Sequence, residues 1–130
     1  MILLDTDTCI GILRGNSSVL AGRKASDDET AVSFMTVAEL YYGALKSANP
    51  VKNCQLVEML LLTLRVINTD KEILMEFGKL KADLELQGNL LTDADLFIAA
   101  TCITKCSMLI TGNLKHYNRI SALKTANWLR

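Results

Sequence analysis

The chain has 130 residues, half of them apolar, with 14 Lys and Arg against 14 Asp and Glu and a formal net charge of zero. That length fits one domain over residues 1–130, and the composition supports a core and excludes a disordered chain. The longest apolar runs, over residues 56–64 and 96–103, are too short to cross a bilayer, and no basic segment precedes an apolar one at the N-terminus. A cytoplasmic protein without membrane attachment is expected.

In chain order, Ile2-Leu3-Leu4 reads as a buried strand that stops at Asp5-Thr6-Asp7 and feeds a helix to Arg14. Gly15 to Ser18 is a turn, Val19 to Ala25 a short helix, and Asp27-Asp28-Glu29 a polar loop before a second strand over Thr30 to Phe34. A helix from Met35 to about Ser47 is broken at Asn49-Pro50, where another begins and reaches about Leu62. Arg65 to Asn68 is a third strand. Thr69 or Asp70 caps a long amphipathic helix to Gln87, which Gly88-Asn89 ends. Thr92 to Cys106 is a further helix, Met108 to Thr111 a fourth strand, Gly112-Asn113 a turn, and a last short strand falls within Leu123 to Trp128. Short apolar strands alternating with helices predict an α/β protein with a parallel sheet covered on both faces. In such folds the working site lies beyond the carboxyl ends of the strands.

The four cysteines, Cys9, Cys54, Cys102 and Cys106, form no CxxC pair, and His116 is the one histidine. A zinc site needs about four nitrogen or sulfur ligands, so buried reduced thiols are expected instead. The charge is unevenly spread. All 14 acids and nine cations lie in residues 1–95, giving −5, while Lys105, Lys115, Arg119, Lys124 and Arg130 give +5 to the remainder. A carboxylate-rich body beside a basic C-terminal quarter is suited to holding a cation next to a polyanion.

Three acids stand out. Asp5 ends the first strand, where it serves either a site or the cap of the next helix, a place Thr6 or Asp7 fills equally well. Glu39 is the sole charge in TAVSFMTVAELYYGAL, a stretch apolar enough to be largely buried unless Glu39 sits on an exposed edge. Asp95 opens the uncharged LFIAATCIT helix, and also fits the third position of a capping box begun by Thr92, with Asp93 in the same first turn. Carboxylates gathered at one sheet edge repel each other unless a cation sits among them. Hard oxygen ligands without imidazole or thiolate select Mg2+, or Mn2+, and the chemistry implied is phosphodiester hydrolysis.

With these residues in hand, the chain resembles the PIN-domain ribonucleases, specifically the VapC-type toxins. The resemblance is carried by LLDTDTCI, VSFMTVAELYYGA, TDADLFIAATCI, LITGNLKHYNRI and the terminal NW, in order across nearly the whole length. It implies a three-layer α/β/α PIN-like fold with a central parallel sheet of four to five strands. By that likeness Asp5 and Asp95 are ligands of Mg2+, and Glu39 completes the cluster or orients the attacking water. Thr111 and Asn113 match the polar segment after the fourth strand, Asn113 standing where many members have a carboxylate. Asp7 occupies a position commonly uncharged, and Asp93 is an accessory residue. The likeness further implies an RNA substrate, a homodimer, and a higher hetero-oligomer with a VapB-like antitoxin. Tyr41, Tyr42 and Leu60 to Leu62 serve those interfaces or the core, and Lys115, His116 and Arg119 are candidates for RNA phosphates. Two other readings remain: a non-catalytic PIN-fold module binding RNA or protein, and a haloacid-dehalogenase-like phosphatase with Asp5 as nucleophile and Asp7 as acid/base. The latter has only 17 residues after Asn113 for its remaining motifs.

Overall fold

The computed structural model describes residues 1–129; Arg130, one of the five C-terminal cations, lies outside the described residues. The elements follow in the order β1 (Ile2–Leu4), α1 (Thr6–Leu13), α2 (Ser17–Ala25), β2 (Thr30–Ser33), α3 (Phe34–Leu45) and α4 (Pro50–Leu61). Then come β3 (Arg65–Ile67), α5 (Lys71–Leu86), α6 (Asp93–Lys105), β4 (Met108–Ile110), α7 (Leu114–Tyr117) and β5 (Thr125–Ala126). The sheet is wholly parallel in the order β3-β2-β1-β4-β5.

The sheet reverses its winding at the central β1, so the carboxyl ends of β1, β2 and β4 meet at one edge. Successive side chains of a strand point to opposite faces. Leu3 accordingly packs with Ile73, Leu80, Leu96 and Leu109 under α5 and α6, while Ile2 and Leu4 pack with Cys9, Val32, Leu40, Val57 and Ile110 under α1, α3 and α4. Two apolar layers on one sheet give the three-layer α/β/α arrangement expected.

Asp5, Asn16, Ser33, Asp70 and Thr92 each accept a backbone N–H at a helix start. Asp70, not Thr69, is therefore the α5 cap. Ser33 takes the cap of α3, which ends β2 one residue early and moves Phe34 into the helix. The sequence reading also missed α7, a single turn. Helix α3 is less buried than its composition suggested: Tyr42 and Leu45 are 66% and 64% exposed, and Glu39 is half-buried. Of the expected interface residues, Leu60 is in the core and Tyr41 and Leu61 pack against it, while Tyr42 and Leu62 stay exposed. All four cysteines are free, and burial pushes the Cys102 thiol up to about 12.

After β5 the chain straps across α1 and α2. The Ser18 hydroxyl donates to the Trp128 carbonyl at 2.7 Å, and the Trp128 ring covers Gly22, where a Cβ would lie 2.6 Å from the indole. Leu129 fills the space over Gly112 in the same way, 2.7 Å from a would-be Cβ. These glycines are needed for close approach, not for backbone freedom.

Candidate active site

Asp5 leaves β1 and caps α1, its Oδ1 accepting the Thr8 N–H at 2.8 Å, so of the residues that could fill the cap it is Asp5 itself, not Thr6 or Asp7, that does. The turn is fixed to the neighbouring strand: the Asp5 N–H and the Thr8 hydroxyl both donate to the Ile110 carbonyl, at 3.0 and 3.1 Å. Asp5 is only 4% exposed. Burial raises its pKa above the ordinary carboxylate value, opposed by hydrogen bonds from Thr111 and Thr8 and reinforced by the Asp7 charge.

Glu39 comes from α3. The Thr6 hydroxyl donates to its Oε1 at 2.6 Å and lies 3.2 Å from the Thr36 hydroxyl, which is buried beside the Ser33 cap. Asp95 comes from the first turn of α6. Its backbone N–H donates to Thr92 Oγ1 at 3.2 Å, half of the predicted capping box. Its carboxylate accepts the Tyr117 hydroxyl at 3.3 Å, and His116 Nδ1 lies 3.5 Å from Oδ2. Tyr117 is 2% exposed; burial, with the nearby Asp95 charge, raises its pKa far beyond the ordinary range and keeps it a neutral donor. Asn113 donates its backbone N–H to Thr111 Oγ1 at 2.9 Å and holds its side-chain amide 2.7 Å from His116 Nδ1.

These side chains line one cavity of about 200 Å³ at the carboxyl edge of the sheet: Asp5, Thr6, Asp7, Glu39, Asp95 and Asn113, with Ile98 and Tyr117 behind them. Three sequence candidates stand elsewhere. Asp93 is exposed and paired with Lys81 at 3.0 Å. Lys115 is exposed on α7, and Arg119 donates to the Leu90 carbonyl at 3.1 Å, clasping the loop before α6. Thr111 is fully buried and supports the cavity through Asp5 and Asn113.

The basic C-terminal quarter does not form the cradle expected of it. Lys105 and Lys124 precede β4 and β5, so in a parallel sheet they stand at the amino edge, away from the acids. Lys105 is moreover held by Asp70 and Glu72 at 2.7 and 3.2 Å. Sequence reasoning also overlooked Thr6 and Tyr117. A threonine in a turn and a tyrosine in a short polar helix carry no local mark of function; only the fold sets them against Glu39 and Asp95.

Asp5, Glu39 and Asp95 share this cavity without closing into a ligand cluster. Among the described residues no three His, Cys, Asp or Glu side chains form a ready ligand set. The carboxylates are tethered instead by protein donors, Asp5 by Thr8, Glu39 by Thr6 and Asp95 by Tyr117. The donor set still suits a hard divalent cation, because Mg2+ keeps several waters and takes only one or two protein carboxylates. A buried acid with a raised pKa and no Lys or Arg partner among the described residues gains by such a cation.

Residues 2–122 match the PIN domain family. Ribonuclease VapC2 of Haemophilus influenzae is 34% identical over 128 residues, 98% of this chain and 97% of that protein. The tRNA(fMet)-specific endonuclease VapC of Salmonella typhimurium is 28% identical over 97% of this chain and 96% of its own length. The crystal structure of VapBC2 from Rickettsia felis, bound to a DNA fragment from their promoter, superposes with a TM-score of 0.92 at 30% identity, covering 98% of this chain and 99% of that one. The fold is thus that of a PIN domain. The chain belongs to the PIN-domain family and, within it, to the VapC ribonucleases. A phosphatase of the haloacid-dehalogenase type is left without support, and PIN-domain membership brings a general dependence on a divalent cation.

Proposed function

We infer that this protein is a Mg2+-dependent endoribonuclease, the toxin of a toxin–antitoxin pair, acting as one PIN domain in the cytoplasm. The observation that carries the reading is the 200 Å³ cavity at the carboxyl edge, where Asp5, Glu39 and Asp95 from three elements face the same space. Asp5 and Asp95 would hold the cation, which would supply Lewis acidity to water and offset charge on the phosphodiester. Thr8 and Tyr117 fix the direction of these two carboxylates without neutralising them. Glu39, with one oxygen occupied by Thr6, keeps the other for the attacking water. Asp7 stands at the mouth as a supplementary acid, and the exposed Lys115 of α7 contacts RNA backbone phosphate outside the cavity.

The likeness to VapBC complexes supports a small VapB-like antitoxin as partner and a homodimer within a larger hetero-oligomer. No helix among the described residues is long and apolar enough to cross a membrane. Total RNA incubated with the purified protein should be cut at discrete sites with Mg2+ or Mn2+ and left intact with chelator. RNA bound but never cut under any divalent ion would replace this reading with that of a binding module.

A further inference from the structure

A larger cavity, about 590 Å³, adjoins the catalytic one, and Asp7 and Asn113 line both. One wall is a single face of α1: Asp7, Ile10, Gly11 and Arg14 follow at helical spacings of three, four and seven. The opposite wall is Asn127 on the strap after β5, and Asn16 closes the end. The strap is held firmly, by the Thr111 N–H on the Ala126 carbonyl at 2.9 Å and by Ser18 on Trp128.

Asp7 puts one carboxylate on the side shared with the catalytic cavity; away from it, the polar side chains are donors. Asn127 Oδ1 accepts the Leu129 N–H at 2.8 Å, and Asn16 Oδ1 accepts the Val19 N–H at 3.1 Å. Each amide therefore has its acceptor engaged and its NH2 left over. With the Arg14 guanidinium, which donates only, the cavity presents N–H groups to an acceptor-rich ligand. Its volume falls in the range of sites that enclose a small organic molecule, roughly 300–1,000 Å³. Ile10 and Leu129 add apolar surface against which a flat ring can lie.

We propose that this cavity is a nucleotide subsite of the ribonuclease, receiving the base next to the scissile phosphate. Arg14 meets a backbone phosphate, and the amides of Asn16 and Asn127 read acceptor atoms on the base edge, as on O6 and N7 of guanine. The proposal rests on the nuclease reading above and adds the group that sets sequence preference.

The decisive variant is Asn127→Asp. It keeps the acceptor for the Leu129 N–H and exchanges the outward donor for an acceptor. Cleavage of a randomised single-stranded RNA pool by the full chain should show a changed base preference at one position flanking the cut. Arg14→Ala should raise KM roughly tenfold with a much smaller change in kcat, and lower the salt slope of RNA binding by about 0.7. Binding of the same labelled RNA is measured by anisotropy with chelator present, so that no cutting intervenes. If the wild type cuts RNA but both variants keep its base preference, KM and affinity, the subsite is wrong and the nuclease reading stands. If the wild type never cuts yet binds, and both variants weaken or redirect binding, the nuclease reading fails, and with it the place beside a scissile phosphate, while the cavity stands as a nucleotide-binding site of an RNA-binding module.

Discussion

The α5–α6 hairpin and the carboxyl edge of the sheet are both rich in acids, and they treat them in opposite ways. On the hairpin, Lys81 meets Asp93, and Lys105 meets Asp70 and Glu72. The Lys105 contact, with the Ile73 N–H, holds the Asp70 carboxyl below its usual range. At the sheet edge, Asp5, Asp7, Glu39 and Asp95 have no Lys or Arg ion pair among the described residues; hydroxyl and amide donors hold Asp5, Glu39 and Asp95. Asp93 and Asp95 make the contrast sharpest, lying two residues apart in one helical turn and on different sides of it. On the hairpin Asp70, Glu72 and Asp93 are each met by a lysine. An acid that serves the site is aimed by a hydrogen bond and left without a lysine or arginine partner.

The largest break in this comparison should come from the aimed acids. Asp5→Ala or Asp95→Ala should lower RNA cleavage on the order of 10²- to 10³-fold in a single-turnover assay, as when one stabilising group is removed from a polar active site. Full activity in either variant would strip that residue of its role. Tyr117→Phe removes only the donor to Asp95, and such outer partners are worth roughly 10- to 100-fold in metal affinity. Calorimetric titration with Mn2+ should show that weakening while Tm stays close to wild type; an altered Tm with unchanged affinity would make Tyr117 a packing residue alone.

Stability should move the other way. Because burial raises the Asp5 pKa, the folded chain binds that proton more tightly than the unfolded chain does. Its contribution in the metal-free protein is therefore greatest below the unfolded value and declines as pH rises through the folded one. Asp70, with a lowered pKa, works in the opposite sense but only below about pH 4, where its carboxylate starts to protonate. Urea unfolding with chelator should thus show Asp5→Asn gaining on wild type as pH rises above the ordinary carboxylate range, by about 1–3 kcal/mol once Asp5 is ionised. Added Mg2+ should stabilise the wild type and not the variant. The smallest effect belongs to the paired side: Asp93→Asn, which loses an exposed ion pair, should change stability by about 0.5 kcal/mol or less and leave cleavage as it was.

Most of the architecture was legible in the chain. Alternating apolar strands and capped helices gave the parallel sheet, and strand ends pointed to Asp5. The charge-poor runs around Glu39 and Asp95 marked both residues, because an isolated carboxylate in an apolar helix has few structural uses. The basic quarter misled for a topological reason: residues close in sequence, Lys105 to Lys124, are dealt to both edges of a parallel sheet.

The order of apolar, polar and capping residues along the chain determined the elements, the layers and three of the acids, since each of those depends on neighbours within a few turns. The pairing of Thr6 with Glu39, the reach of Tyr117 to Asp95, and the amide-lined space between α1 and the strap after β5 were decided only in three dimensions. They join residues 22 to more than 100 positions apart, and no local pattern records a contact whose two halves are set side by side by the winding of the sheet.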